Sequence, residues 1–227
     1  MGIKKGAARL NLETVVQVFP FLLKGALVTF EISILAIIIG TVLGFFLAVL
    51  RLSHNKLVRF LATTYIWVFR GVPILMVLVF IYYTPPFGIT LSAFAAGLLG
   101  LSFNAAAYKA EIIRTGLLAI PKGQIEAAEA IGMTPWQILI RIRIPQIIRF
   151  ILPTYISNSV ALLKESAQVS VITVPDLMLN AQSQFSSTYM PFETLGVAAA
   201  LYLCMTSVLM TLQIYTERKL KLHAGRR

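Results

Sequence analysis

An all-α integral membrane protein with five transmembrane helices is the fold class that the sequence predicts, on three observations. The first is a shortage of charge. Of 227 residues, 58% are apolar and only 13% are charged, where a soluble domain is about half apolar and about a quarter charged. Mean hydropathy is +0.81. The second is the length of the apolar runs, which match the about 20 residues needed to cross about 30 Å of hydrocarbon as a helix. The third is the sorting of basic residues into alternate connections, as the positive-inside rule requires.

The spans are taken in order. Residues 25–50 carry one charge, Glu31. Residues 57–83 are apolar apart from Arg59 near the start and Arg70 in the middle, and residues 89–108 carry no charge. Residues 150–175 are interrupted only by Lys164 and Glu165, and residues 194–216 hold none. Gly40, Gly44 and Ala48 repeat every four positions in the first span, a pattern that suits helix packing. Outer-membrane strands give weak alternating runs near ten residues, which these are not. The first run is too long for a signal-peptide core, so no cleaved signal is expected. The whole chain, 1–227, reads as one transmembrane domain.

Basic residues outnumber acidic ones 20 to 9, for a net charge of +11. On a soluble domain that balance would suggest nucleic acid; here it orients the chain. The connection with Arg51, Lys56 and Arg59, the long one with Lys109, Arg114, Lys122, Arg141, Arg143 and Arg149, and the tail hold 14 of the 20 basic residues. The connections 84–88 and 176–193 hold none. With five spans, the rule puts the C-terminus inside and the N-terminus outside. The N-terminal Lys4, Lys5, Arg9 and Lys24 go against it, and an interfacial helix over residues 11–24 would account for them. A single cysteine, Cys204, and two histidines outside the apolar runs, His54 and His223, argue against a metal site or a Ser-His nucleophile. The chain reads as no enzyme.

Residues 120–145 read IPKGQIEAAEAIGMTPWQILIRIRIP. Pro121 starts a helix that Ala127, Ala128 and Ala130 favour. Gly132 supplies a left-handed stop. Thr134 then caps a second helix, with Pro135 at its first position and Gln137 completing a capping box. The expectation is helix, tight turn, helix on the cytoplasmic face.

Within that stretch, Glu126-Ala127-Ala128, Gly132, Ile142 and Ile144-Pro145 resemble the EAA motif of ATP-binding-cassette (ABC) importer permeases, with Ile144 in place of Leu. The resemblance extends further. Thr29-Phe30-Glu31-Ile32-Ser33 resembles the first span of polar amino acid importer permeases, and Phe69-Arg70-Gly71-Val72-Pro73 their R-G-x-P element. The run from Ala107 to Leu117 is similar to their Y-x-A-E-x-x-R-x-G-L segment, and Leu152-Pro153, Asn158 and Leu163-Lys164 to their L-P…N…L-K stretch. Where that family continues D-T-S-L, this chain has Glu165-Ser166-Ala167-Gln168. The resemblance implies a permease for a polar amino acid, with the EAA loop between spans three and four as an ATPase-coupling helix. It also implies a second permease chain, identical or homologous, an extracytoplasmic solute-binding protein and a prokaryotic inner membrane. The chain has no G-x-x-x-x-G-K-[ST] phosphate loop, so it binds no cofactor of its own and ATP is hydrolysed by partner subunits.

Ionisable groups at membrane depth are costly, so they face partners or cavities. Glu31, Arg70, Lys164 and Glu165 qualify. Gly71 and Pro73 beside Arg70 suggest a broken helix, with an ion pair as its simplest role. Glu165, with Ser166 and Gln168 after it, is the candidate for lining the substrate path, with Glu31 and Arg70 as further candidates. A channel or ion-coupled carrier without an ATPase is the alternative.

Overall fold

The computed structural model describes residues 11–84 and 88–224, with side chains described through residue 219. Lys4, Lys5, Arg9, Arg226 and Arg227 lie outside the described residues, as does the side chain of Lys221.

Helix α1, Leu12–Arg51, runs 40 residues, about 60 Å at 1.5 Å each. The predicted interfacial helix over 11–24 is not a separate element, because α1 continues through Pro20. Asn11 caps it by accepting from the backbone of Glu13 and Thr14. The Asn11 backbone N–H donates to Glu193 at 3.1 Å. The stripe Gly40, Gly44 and Ala48 is buried. A Cβ on Gly40 would stand 2.6 Å from Ala105 Cβ, so only glycine permits this approach to the fourth helix.

The second predicted span is not a straight helix. It is α2, Lys56–Gly71, and α3, Ile74–Tyr83, bent by 103° at Val72-Pro73. Pro73 lacks the N–H that would continue α2 and forces its neighbour into an extended conformation, which Val72 adopts at φ −94°, ψ 131°. Asn104 Nδ2 donates to the Phe69 carbonyl at 2.9 Å, satisfying a group freed by the break.

Helix α4, Ala93–Leu118, overruns the predicted third span by ten residues. Lys109, expected in the cytoplasmic connection, is therefore inside the bundle and fully buried. A hydropathy boundary at the first charge misplaced it, because no proline follows until Pro121 and the helix continues through Gly116. After α5, Lys122–Ala130, and α6, Pro135–Ile138, a π-helical turn, Leu139–Arg143, leads directly into α7, Ile144–Glu165. The second surface helix and the fourth predicted span are thus one helical run. The wide turn ends where Pro145 withholds the next N–H.

A 3-10 segment, Ser166–Ile172, follows α7, then α8, Leu177–Thr188, and α9, Pro191–Ala224. Three apolar clusters hold the bundle. Ile32, Leu78, Leu101 and Val169 join α1, α3, α4 and the 3-10 segment. Val18, Leu22, Leu177 and Ala198 join α1, α8 and α9. Ala48, Ile66, Ala110 and Ile113 join α1, α2 and α4. Among the described residues, α1 and α9 are long and apolar enough to cross a membrane, as is the bent pair α2–α3 if taken as one span. Helices α4 and α7, about 39 and 33 Å long, fall short of that apolarity. Their buried faces include Ser102, Asn104, Lys109 and Ser159.

Candidate translocation path and coupling loop

The loop follows from its local sequence. Gly132 sits at φ +80°. Its N–H donates to the Glu129 carbonyl at 2.9 Å, and the Met133 N–H to the Ala128 carbonyl at 3.0 Å. These two bonds form a Schellman stop. The Thr134 hydroxyl then accepts from the Gln137 N–H at 3.3 Å, while Gln137 Oε1 accepts from the Thr134 N–H at 2.9 Å. The predicted stop and capping box are both present. Glu126, Ala127, Gly132 and Pro145 are exposed, Ala128 is buried and Ile142 is half-buried. Ile131 and Trp136 stand 79% and 67% exposed on the same loop, apolar surface left largely uncovered by the described residues. Gln146 donates to Gln124 at 2.7 Å, tying α5 to the start of α7.

Deeper in the bundle, one carboxylate gathers three guanidinium groups. Glu111 on α4 meets Arg51 at the end of α1, Arg114 at 3.1 Å and Arg70 at 3.9 Å. Arg70 also stacks 5.4 Å from the Tyr108 ring centre. Arg70 is thus paired with Glu111, a partner that its position beside Gly71 and Pro73 did not suggest. The A-E-x-x-R spacing signals the Glu111–Arg114 pair alone.

At the break between α2 and α3, Arg70, Asn104, Tyr108 and Glu165 line one cavity of about 290 Å³. Glu165 reaches it from the last residue of α7, where the helix tightens into the 3-10 segment. A second cavity, lined by Arg70, Tyr108, Thr63 and Arg51, adjoins it, and a third, lined by Arg51, Thr63 and Arg114, adjoins that. The three share residues in sequence and form a polar track between α2 and α4. The other sequence candidates stand off it. Ser166 is fully buried, accepting from Ser33 at 3.1 Å and donating to the Leu163 carbonyl at 2.8 Å. Gln168 is half-buried on the 3-10 segment, and Glu31 is exposed on α1.

Sequence reading missed Lys109. Its Nζ lies 3.3 Å from Ser159 Oγ and 3.7 Å from the centre of the Tyr155 ring, with no carboxylate partner among the described residues. Tyr155 in turn meets Thr41 at 2.6 Å, so α1, α4 and α7 share one polar knot.

The family described as the binding-protein-dependent transport system inner membrane component matches residues 40–222. The chain is 36% identical over 213 residues to the putative glutamine transport system permease protein GlnP of Rickettsia conorii, covering 92% of this chain and 98% of that one. It is 35% identical to the arginine transport system permease protein ArtQ of Bacillus subtilis, covering 93% and 98%. It is 39% identical to the octopine transport system permease protein OccM of Rhizobium meliloti, covering 85% and 82%. Among solved structures, a crystal structure of an amino acid ABC transporter with histidines superposes with a TM-score of 0.84 at 38% identity, covering 93% of this chain and 99% of that one. The chain belongs to the family of binding-protein-dependent transport system inner membrane components.

Proposed function

We propose that this permease moves a polar amino acid inward through the membrane, driven by separate ABC ATPase subunits and supplied by an extracytoplasmic binding protein. The relatives named for glutamine, arginine and octopine support that substrate class. They lend none to a channel or ion-coupled carrier. The ATPase docks on Glu126, Ala127, Ala128, Gly132, Ile142 and Pro145, where exposed Ile131 and Trp136 await a partner surface. A second permease chain completes the path. Five crossings are counted as α1, the bent pair, α4, α7 with its 3-10 extension, and α9, with the N-terminus outside. Helices α4 and α7 cross without meeting lipid on their polar faces, because neighbours cover those faces.

The observation that carries the substrate reading is the cavity shared by Arg70 and Glu165. Every amino acid presents one carboxylate and one ammonium, and this cavity presents one charge for each. Arg70 takes the carboxylate through two parallel hydrogen bonds and Glu165 the ammonium. The test is uptake in vesicles holding the assembled complex. Glu165→Gln keeps shape and removes charge, and it should raise KM about 10- to 100-fold, the size of one lost charge-assisted hydrogen bond, with ATPase assembly intact. Unchanged KM across several amino acids would remove Glu165 from the path. Uptake that continues without ATP would remove the ATPase coupling.

A further inference from the structure

The end of the polar track holds more positive charge than the transport reading uses. A cavity of about 490 Å³ between the end of α1, the start of α2 and α4 is lined by Arg51, Lys56, Arg59 and Arg114, with Leu52 and Phe60 beside them. Glu111 already shares its one carboxylate among Arg51, Arg70 and Arg114. Lys56 and Arg59 have no acidic partner among the described residues and are exposed. The cavity lies against the first turn of α2, whose amide dipoles add positive potential; the Asn55 side chain accepts from the Leu57 and Val58 amides there, and its carbonyl accepts from the Arg59 N–H. The exposed face of α2 continues the apolar rim with Leu57, Phe60 and Leu61, 65%, 66% and 58% exposed. Four cations at the boundary of a membrane helix, beside an apolar face, match both ends of one class of molecule.

We infer that this cavity binds the phosphate of an anionic phospholipid, with Lys56 and Arg59 on the phosphate and the acyl chains along Leu57, Phe60 and Leu61 of α2. A soluble phosphate would meet the same cations and gain nothing from the apolar face. Basic pockets between membrane helices take anionic headgroups on this principle. The inference rests on α1 and α2 being membrane-embedded and is independent of which solute is carried.

The test uses the assembled complex in phosphatidylcholine vesicles doped with brominated phosphatidylglycerol or brominated phosphatidylcholine. Quenching of Trp67 on α2 is read as the difference between the complex carrying Trp136→Phe, which leaves one tryptophan in this chain, and the complex carrying Trp67→Phe with Trp136→Phe, so that partner tryptophans cancel. The wild-type pocket should prefer phosphatidylglycerol by about fivefold or more, the surface-charge contribution of a single cation. The double variant Lys56→Gln with Arg59→Gln should reduce that preference to about one, while the complex still assembles in the same yield and unfolds at the same temperature as the parent. Equal quenching by the two lipids in the parent would overturn the inference, as would a preference that survives the double variant. Loss of the preference on adding inorganic phosphate at constant ionic strength would assign the site to a soluble anion and overturn the lipid. Failure of uptake in the parent would count against the transport reading alone, because quenching is read without substrate.

Discussion

At Gly132, φ is +80° and an added Cβ would meet nothing within 4 Å. Within this chain the cost of a substitution there is therefore backbone cost, about 1–2 kcal/mol for an ordinary residue and more for a β-branched one. Gly132→Val should leave the protein in the membrane and abolish substrate-stimulated ATP hydrolysis, while Gly132→Asn, which tolerates the left-handed region, should keep most of it. Equal stimulation in both variants would separate this turn from coupling. Asp176 is the opposite case, a residue decided by its surroundings. It lies just past the fourth predicted span, fully buried, and caps α8 by accepting from Leu179 at 2.9 Å. Burial pushes its carboxyl up to about 6, against the smaller opposing pull of backbone hydrogen bonds. A folded value above the unfolded one means stability that is full below about pH 4 and lost as pH rises through about 6. Thermal unfolding of the purified protein should therefore occur at higher temperature at pH 5 than at pH 7. Asp176→Asn retains the cap and should abolish that difference.

Among elements, the contact of α4 with α7 carries a charge that packing alone would not need. Lys109 is held by one hydroxyl and one ring, a modest return for a desolvated ammonium. Lys109→Met keeps the length and removes the charge, so it should unfold at the same temperature as the wild type or a few degrees higher. A clear fall would make the ammonium glue between the helices. The same pair of helices marks what was legible in the sequence. The turn between α5 and α6 was readable because Thr134, Gln137, Pro135 and Gly132 act through bonds within a few residues, and each is present as expected. The break at Val72-Pro73 was readable in kind, since proline acts on its own backbone; its 103° angle was not, because that depends on what α3 packs against. The end of α4 and the start of α7 differ from the expected spans because charge at Lys109 and Arg149 marks no helix end: a helix surrounded by helices buries Lys109 without meeting lipid. Likewise Arg70 and Glu165 were both singled out, but no spacing in the sequence shows that they line one cavity.

For the molecule as a whole, the count of spans decides which way every site faces. Among the described residues, two helices are apolar enough to cross on their own, and a third crossing needs the bent pair. Helices α4 and α7 pass between them at sufficient length, with polar faces turned inward. If all five cross, Arg51, Lys56, Arg59, α5, α6 and the tail with Arg218 and Lys219 share one side, with most of the positive charge. The connection at 176–193 then lies opposite, carrying Asp176 and Glu193 and no basic residue. An enzymatic reporter that works only in the cytoplasm should be active when fused after Arg227 and when inserted at Gly123 in α5. The same reporter inserted at Ser187, near the end of α8, should be silent. Activity at Ser187 together with silence at Arg227 would invert the molecule. Activity at both would make the number of crossings between α8 and the tail even, and α9 would then lie along the membrane instead of through it. That last outcome conflicts with the 29 apolar-rich residues of Pro191–Lys219, of whose most apolar window only 11% is buried within the chain. A helix so little covered by its own chain needs lipid or a second permease chain around it, and at about 44 Å it is long enough to reach from one face to the other.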